Sequence, residues 1–144
     1  MLGGLWPETG SLSYLAPPEL AAEKLAVADI NAAGGVLGKD VTTVDADTSD
    51  ADHADQNSSA TQSVMSKNPS FVIGPASSSV VKNVYKTITS AKVPMLSMGA
   101  TSSDFSGLSP YFFRTVPPDS VQGAVLGQVI AQDGVKTCHR SAQR

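Results

Sequence analysis

The residues whose types and spacing could do chemistry are hydroxyls: Ser77-Ser78-Ser79 after Gly74-Pro75, and Thr101-Ser102-Ser103 after Met98-Gly99-Ala100. The first group follows Phe71-Val72-Ile73, a short apolar run of the kind buried on both faces of a parallel sheet. Gly74-Pro75 ends that strand, since proline has no N–H for the sheet and glycine permits the turn. Val80, Val81, Val84, Tyr85 and Ile88 then recur at i, i+3, i+4 spacing and predict a helix. The serines therefore stand at a helix N-terminus, where hydroxyls cap open N–H groups and the dipole favours an anion. The second group repeats the arrangement after the strand Pro94-Met95-Leu96-Ser97. Two hydroxyl-bearing loops at the carboxyl ends of two strands predict a pocket for a small polar ligand.

Simple N-capping is the competing reading of the serines. Catalysis finds less support. Neither G-x-G-x-x-G nor a P-loop occurs, and there is no G-x-S-x-G elbow. His53 is expected in a polar helix and His139 close to the chain end, so neither is placed to activate a serine. Asp45, Asp47 and Asp50 suggest a cation site or a phospho-acceptor, but the glycine and distant glutamate of an EF-hand loop are missing. Asp47 or Asp50 is better read as a cap or first-turn charge for the helix that follows. Trp6 and Tyr14 flank the loop after the first strand and are placed to lean over a ligand, Tyr14 being the candidate contact and packing the simpler role for Trp6. Asn57-Ser58-Ser59 matches a glycosylation acceptor by pattern and reads as a solvated helix face. Cys138 is the sole cysteine, which rules out an internal disulfide. No cofactor is expected.

These loops need a scaffold, and the chain supplies alternating elements. Leu2-Gly3-Gly4-Leu5-Trp6 predicts a strand. Pro17 and Pro18 suit a first helical turn, and Ala21, Leu25, Ala28 and Ala32 share one expected buried face, widened by Leu20, Val27 and Ile30. Gly34-Gly35 ends that helix. A strand over Val41 to Val44 precedes an exposed helix over 50–67, with Ala54, Thr61, Val64 and Met65 inward. Strands at 71–74, 94–97 and 111–115 and a helix at 78–90 follow. In a last helix Val121, Val125 and Val129 fall at i, i+4, i+8, where Gly123 and Gly127 point to close packing. The order β-α-β-α-β-α-β-β-α predicts an α/β fold with a mostly parallel, doubly wound sheet. Residues 138–144 are polar and basic where a buried strand is expected, so 1–137 read as one lobe and 138–144 as a non-native-looking tail.

At 144 residues, 41% hydrophobic, with net charge −3, the chain can bury a real core, and its acidic balance argues against nucleic acid. No stretch reaches the roughly 20 apolar residues of a membrane span. Met1-Leu2-Gly3-Gly4 has neither the charged start nor the apolar core of a signal peptide.

Ala28-Asp29-Ile30-Asn31-Ala32-Ala33-Gly34-Gly35-Val36-Leu37-Gly38-Lys39 resembles the D-I-N-A-x-G-G-x-x-G segment of branched-chain amino acid binding proteins, substrate-binding components of ATP-driven importers with the type I periplasmic binding protein fold. Trp6-Pro7-Glu8-Thr9-Gly10 is similar to their first loop. The segments from Val72 to Ser79, from Pro94 to Thr101 and from Phe112 to Pro117 follow at the family's spacing. The resemblance implies that a ligand α-carboxylate is held by the Ser78 and Thr101 hydroxyls with backbone help from Thr101. It also implies that Gly99 offers its carbonyl to the α-ammonium, with Ala100 between them. A family tyrosine aligns with Leu15, leaving Tyr14 one place away.

Such proteins close two lobes over the ligand, and a returning segment completes the first lobe. The resemblance therefore implies an N-terminal lobe with half a site, binding an amino acid-like small molecule without catalysis. It implies an ABC permease as partner of the full-length protein and an extracytoplasmic place, periplasmic or lipoprotein. An uncovered sheet edge or apolar face would favour a homo-oligomer of the lobe. The alternative is a small receiver-like signalling domain, which wants an aspartate where the third strand ends in Gly74-Pro75.

Overall fold

The computed structural model describes residues 1–137; the expected tail at 138–144, with Cys138 and His139, lies outside the described residues. Five strands form one parallel sheet: β1 (Leu2–Trp6), β2 (Thr43–Asp47), β3 (Phe71–Ile73), β4 (Met95–Ser97) and β5 (Phe112–Arg114), in the order β2-β1-β3-β4-β5. The helices between them are α1 (Ala16–Ala32), α2 (Ala54–Met65) and α3 (Ser78–Ser90), with α4 (Asp119–Gln132) after β5. One-turn 3-10 helices at Ser13–Leu15 and Ser103–Phe105 complete the set. The alternating α/β order is as the sequence predicts. The second strand alone is displaced, to Thr43–Asp47.

Side chains alternate across a strand, and the register places Val72, Met95 and Phe112 on one face. There they join Leu5 of β1, Val64 of α2, and Val81, Val84 and Ile88 of α3 in the core. Full burial of each such aliphatic side chain contributes about 1.5–3 kcal/mol. Phe105 closes the end of the cluster against Phe112, ring centroids 5.5 Å apart and tilted.

The opposite face is only partly covered. The row Gly4, Ile73, Leu96 and Phe113 crosses the sheet there. α1 covers the β1 end, whereas Phe113 at the other end is 51% exposed. Cavities of about 390 and 410 Å³ run along this side, both lined by Glu23, Ala26 and Ile73.

α1 is rotated from the expected face. Ala21, Leu25, Ala28 and Ala32 are exposed, and the helix instead turns Ala16, Leu20, Glu23, Val27 and Asn31 toward the body. Asn31 fixes that rotation: its amide donates to Val41 O at 3.0 Å and accepts from Val41 N at 2.7 Å. α2 likewise buries Asn57, Ala60, Thr61 and Val64, while Ala54 is exposed. α4 buries no residue, and a Cβ on Gly123 or Gly127 would meet nothing within 4 Å. The close packing expected at those glycines is thus not made within the described residues.

Candidate ligand-binding site

Because β3 and β4 are neighbours, the loops that leave their carboxyl ends lie side by side, and side chains seam them together. Ser97, fully buried at the end of β4, donates its hydroxyl to Pro75 O at 2.5 Å and accepts from Ala100 N at 3.1 Å. Ser78 Oγ accepts from Ser102 N at 3.2 Å. Gly99 approaches the first loop so closely that a Cβ would lie 2.8 Å from Ala76 O. The two hydroxyl groups picked out in the sequence therefore meet at one end of the sheet.

The serines do not act as plain caps. Ser77 is the N-cap residue of α3 with no side-chain cap hydrogen bond, and the Ser78 oxygen serves the neighbouring loop. Its proton remains free to donate.

From Ala100 to Ser102 of the second loop every backbone group but the Thr101 N–H is engaged. Arg114 Nη1 donates to Ala100 O at 3.2 Å and Ser102 O at 2.8 Å, and Asp119 N donates to Thr101 O at 2.8 Å. Ala100 is buried with both its N–H and C=O taken, so it shapes the loop and presents neither group. The Gly99 carbonyl and the Thr101 N–H have no partner among the described residues. An acceptor and a donor a residue apart, beside a serine hydroxyl, complement the ammonium and carboxylate of a zwitterion.

The remaining candidates fall elsewhere. Tyr14 lies on the 3-10 turn after β1, 70% exposed. Trp6 is packed inside and donates to Asp45 Oδ1 at 3.3 Å. Asp47 and Asp50 do not cap α2; they tie down the loop after β1. Thr9 donates to Asp47 through its N–H at 3.1 Å and its hydroxyl at 2.6 Å, and Ser11 N donates to Asp50 at 2.7 Å. His53 precedes α2 as its N-cap residue instead of sitting within it. Asn57 is fully buried, its amide donating to Thr48 O and Asp50 O, so the solvated-face reading holds for the exposed Ser58 and Ser59 but not for Asn57, whose amide is closed to a glycosyl donor. Among the described residues no group of three His, Cys, Asp or Glu is placed to hold a metal.

The residues that sequence reasoning passed over are Ser97 and Arg114, whose side chains hold the loops together, and Glu23, buried on the inner side of α1. Arg114, the only charge in the run from Tyr111 to Val116, carried a visible signal. The other two did not, because their partners lie on distant segments.

His53 Nδ1 stands 2.7 Å from Asp50 Oδ1. The Ser11 N–H and then the His53 ring hold the Asp50 carboxyl well below the usual range. The Asp50 hydrogen bond and charge raise the imidazole above its ordinary 6.5. A proton NMR titration should therefore find a His53 midpoint above that value, restored toward it by Asp50→Asn. The pair's contribution is complete below the unfolded histidine value and fades as pH rises through the raised midpoint.

A parallel five-stranded sheet in the order β2-β1-β3-β4-β5, with two loops seamed together at its carboxyl end, is a doubly wound α/β unit of the class that takes ligands at that end. The chain belongs to the periplasmic binding protein family, whose sequence profile matches residues 1–139. It is 32% identical over 116 residues to Leu/Ile/Val-binding protein homolog 8 of Brucella abortus, covering 80% of this chain and 28% of that protein. It is 29% identical over 127 residues to the leucine-, isoleucine-, valine-, threonine- and alanine-binding protein of Pseudomonas aeruginosa, covering 88% and 34%. Its fold is similar to the branched-chain amino acid transporter substrate-binding protein LivJ of Streptococcus pneumoniae, solved with isoleucine, at TM-score 0.77 and 32% identity over 91% of this chain and 37% of that one. The leucine-binding LivK of Thermotoga maritima shares the fold at TM-score 0.80 with 20% identity, covering 92% of this chain and 37% of that one. The chain thus spans 28% to 37% of the length of these relatives.

Proposed function

We propose that residues 1–137 form the N-terminal ligand-binding lobe of the extracytoplasmic solute-binding component of an ABC importer, taking a branched-chain amino acid or a similar small polar solute. One observation carries this reading: the Gly99 carbonyl, the Thr101 N–H and the Ser78 hydroxyl proton lie together at the strand exits with no partner among the described residues, while the remaining backbone groups from Ala100 to Ser102 are engaged. The ligand's ammonium lies on the Gly99 carbonyl. Its carboxylate takes hydrogen bonds from the Ser78 and Thr101 hydroxyls and the Thr101 N–H, with the α3 N-terminus adding a favourable dipole. Tyr14 is a rim contact. A second lobe supplies the rest of the site and closes over it. The permease is the partner of the complete protein, and a lipid anchor is the means of holding it outside the membrane. The similarity to Leu/Ile/Val-binding protein homolog 8 and to LivJ, solved with isoleucine, supports the ligand class.

The test is calorimetric titration with leucine, isoleucine, valine and a panel of other amino acids. Both this chain and a version extended by the second lobe are titrated. Saturable binding by the extended version, weakened about tenfold by Thr101→Ala, is expected, since a hydrogen bond to a charged group contributes about 1.5–3 kcal/mol. No amino acid bound by either version would overturn the reading. The partly bare sheet face favours self-association of this chain, and light scattering should find species heavier than a monomer.

A further inference from the structure

We propose that Arg114 is a positioning residue for the ligand loop, setting the direction of the Thr101 N–H without touching the ligand itself. The inference rests on the proposed ligand site and adds the device that sets it. Arg114 ends β5, beside β4, and its guanidinium reaches back across the loop that leaves β4. One nitrogen, Nη1, donates to both Ala100 O and Ser102 O, and Nη2 donates to Ser106 Oγ at 2.8 Å. A trans peptide is planar with its C=O and following N–H antiparallel. Holding the Ala100 carbonyl toward the guanidinium therefore turns the Thr101 N–H away from it, and that N–H has no partner among the described residues.

The same rule governs the next links. Asp119 N holds Thr101 O, so the Ser102 N–H points the opposite way, to Ser78 Oγ. Ser97 Oγ holds the Ala100 N–H, so the Gly99 carbonyl points the opposite way and stays unpaired. Arg114 is the one member of this set that acts through a charged side chain. Its planar fork spans two carbonyls and a hydroxyl at once, which an ammonium on a flexible stem does poorly. Its positive charge, carried close to the loop, also favours an anion bound by the Thr101 amide.

The test compares the 144-residue chain with Arg114→Gln, Arg114→Lys and Ser106→Ala. Amide NMR signals and hydrogen exchange are read at Ala100, Thr101 and Ser102, with Val84 and Ile88 as core controls. Arg114→Gln should shift or broaden the Thr101 amide and raise exchange at the hydrogen-bonded Ala100 and Ser102 amides at least tenfold, leaving the controls unmoved. Ser106→Ala, which removes only the Nη2 partner, should have a smaller effect in the same place, and Arg114→Lys should restore part of the signal. A Thr101 amide unchanged in Arg114→Gln would overturn the proposal. So would a change spread equally over loop and core, which marks a merely structural role. If Arg114→Gln does not fold, Arg114→Lys and Ser106→Ala decide by the same criterion. Leucine titration of the same variants in the extended version should show affinity falling about tenfold for Arg114→Gln with little change in melting temperature. Absence of leucine binding in the unsubstituted protein would count against the ligand assignment alone, because the amide readout needs no ligand.

Discussion

Replacing Gly74 with alanine is expected to cost more than about 3 kcal/mol and to leave the chain without a cooperative urea transition. Gly74 lies at the exit of β3 with φ of +95°, a backbone conformation that a side-chain-bearing residue holds only at a cost of about 1–3 kcal/mol. Space adds to that cost, because a Cβ there would drive into the backbone carbonyl of Leu5 in the adjoining strand. The clashing atom is sheet backbone, so it cannot swing aside as a flexible side chain would. Relief requires β3 to move away from β1, which breaks the pairing of Leu2, Gly3 and Gly4 with Phe71, Val72 and Ile73. The contact of Val72 with the core would loosen with it. Circular dichroism followed through a urea titration reads the result directly. A variant that unfolds at the same midpoint as the unsubstituted chain would show that the loop relaxes at no cost.

Stability should also fall by about 1–2 kcal/mol between pH 5 and pH 8, with Glu23 as the principal cause. Glu23 sits on the α1 face turned to the sheet, 5% exposed, and neither carboxylate oxygen has a hydrogen-bond donor among the described residues. Burial, then the neighbouring Asp45 carboxylate, push its pKa from 4.5 up to about 7. A carboxyl whose folded value is raised binds its proton more tightly in the folded state. Its contribution is therefore whole below the unfolded value of 4.5 and is lost as pH rises through 7. A shift of that size corresponds to about 3 kcal/mol at most, and screening in the open groove reduces it to about 1–2 kcal/mol. Glu23→Gln should flatten the profile, and Glu23→Leu should raise the stability at pH 8 by filling apolar space between the two cavities. Urea midpoints at the two pH values check both. His53 titrates in the same direction, so the Glu23 effect is the part that Glu23→Gln removes while Asp50→Asn leaves it in place.

The buried position of Glu23 shows where periodicity misleads. Counting apolar residues along α1 favours the stripe through Ala21, Leu25, Ala28 and Ala32, which the structure leaves in solvent. Small alanines give a weak directional signal, and the Asn31 clamp on Val41 outweighs it. Asn57 misleads similarly: a polar residue inside a polar run reads as surface until Thr48 O and Asp50 O are seen to take its protons. α3 was legible from Ser78 to Ser90 because Val80, Val81, Val84 and Ile88 make a strong stripe on one face, and all are buried. The ligand loops were legible as two hydroxyl-rich segments after strands. That the Gly99 carbonyl and the Thr101 N–H are left open was not, since their direction depends on Ser97 and Arg114.

Local order, strand, turn and helix, follows from the amino-acid sequence, because apolar spacing, prolines and glycines act on the residues beside them. It determined the alternating α/β chain, the parallel sheet, and the placing of Ser78 and Thr101 on consecutive strand exits. Only the tertiary structure decided which way each element turns and which polar groups remain unpaired. Those outcomes depend on partners such as Val41 for Asn31, Pro75 for Ser97 and Ala100 for Arg114, and hydrogen bonding across such distances leaves no periodic trace in a linear sequence.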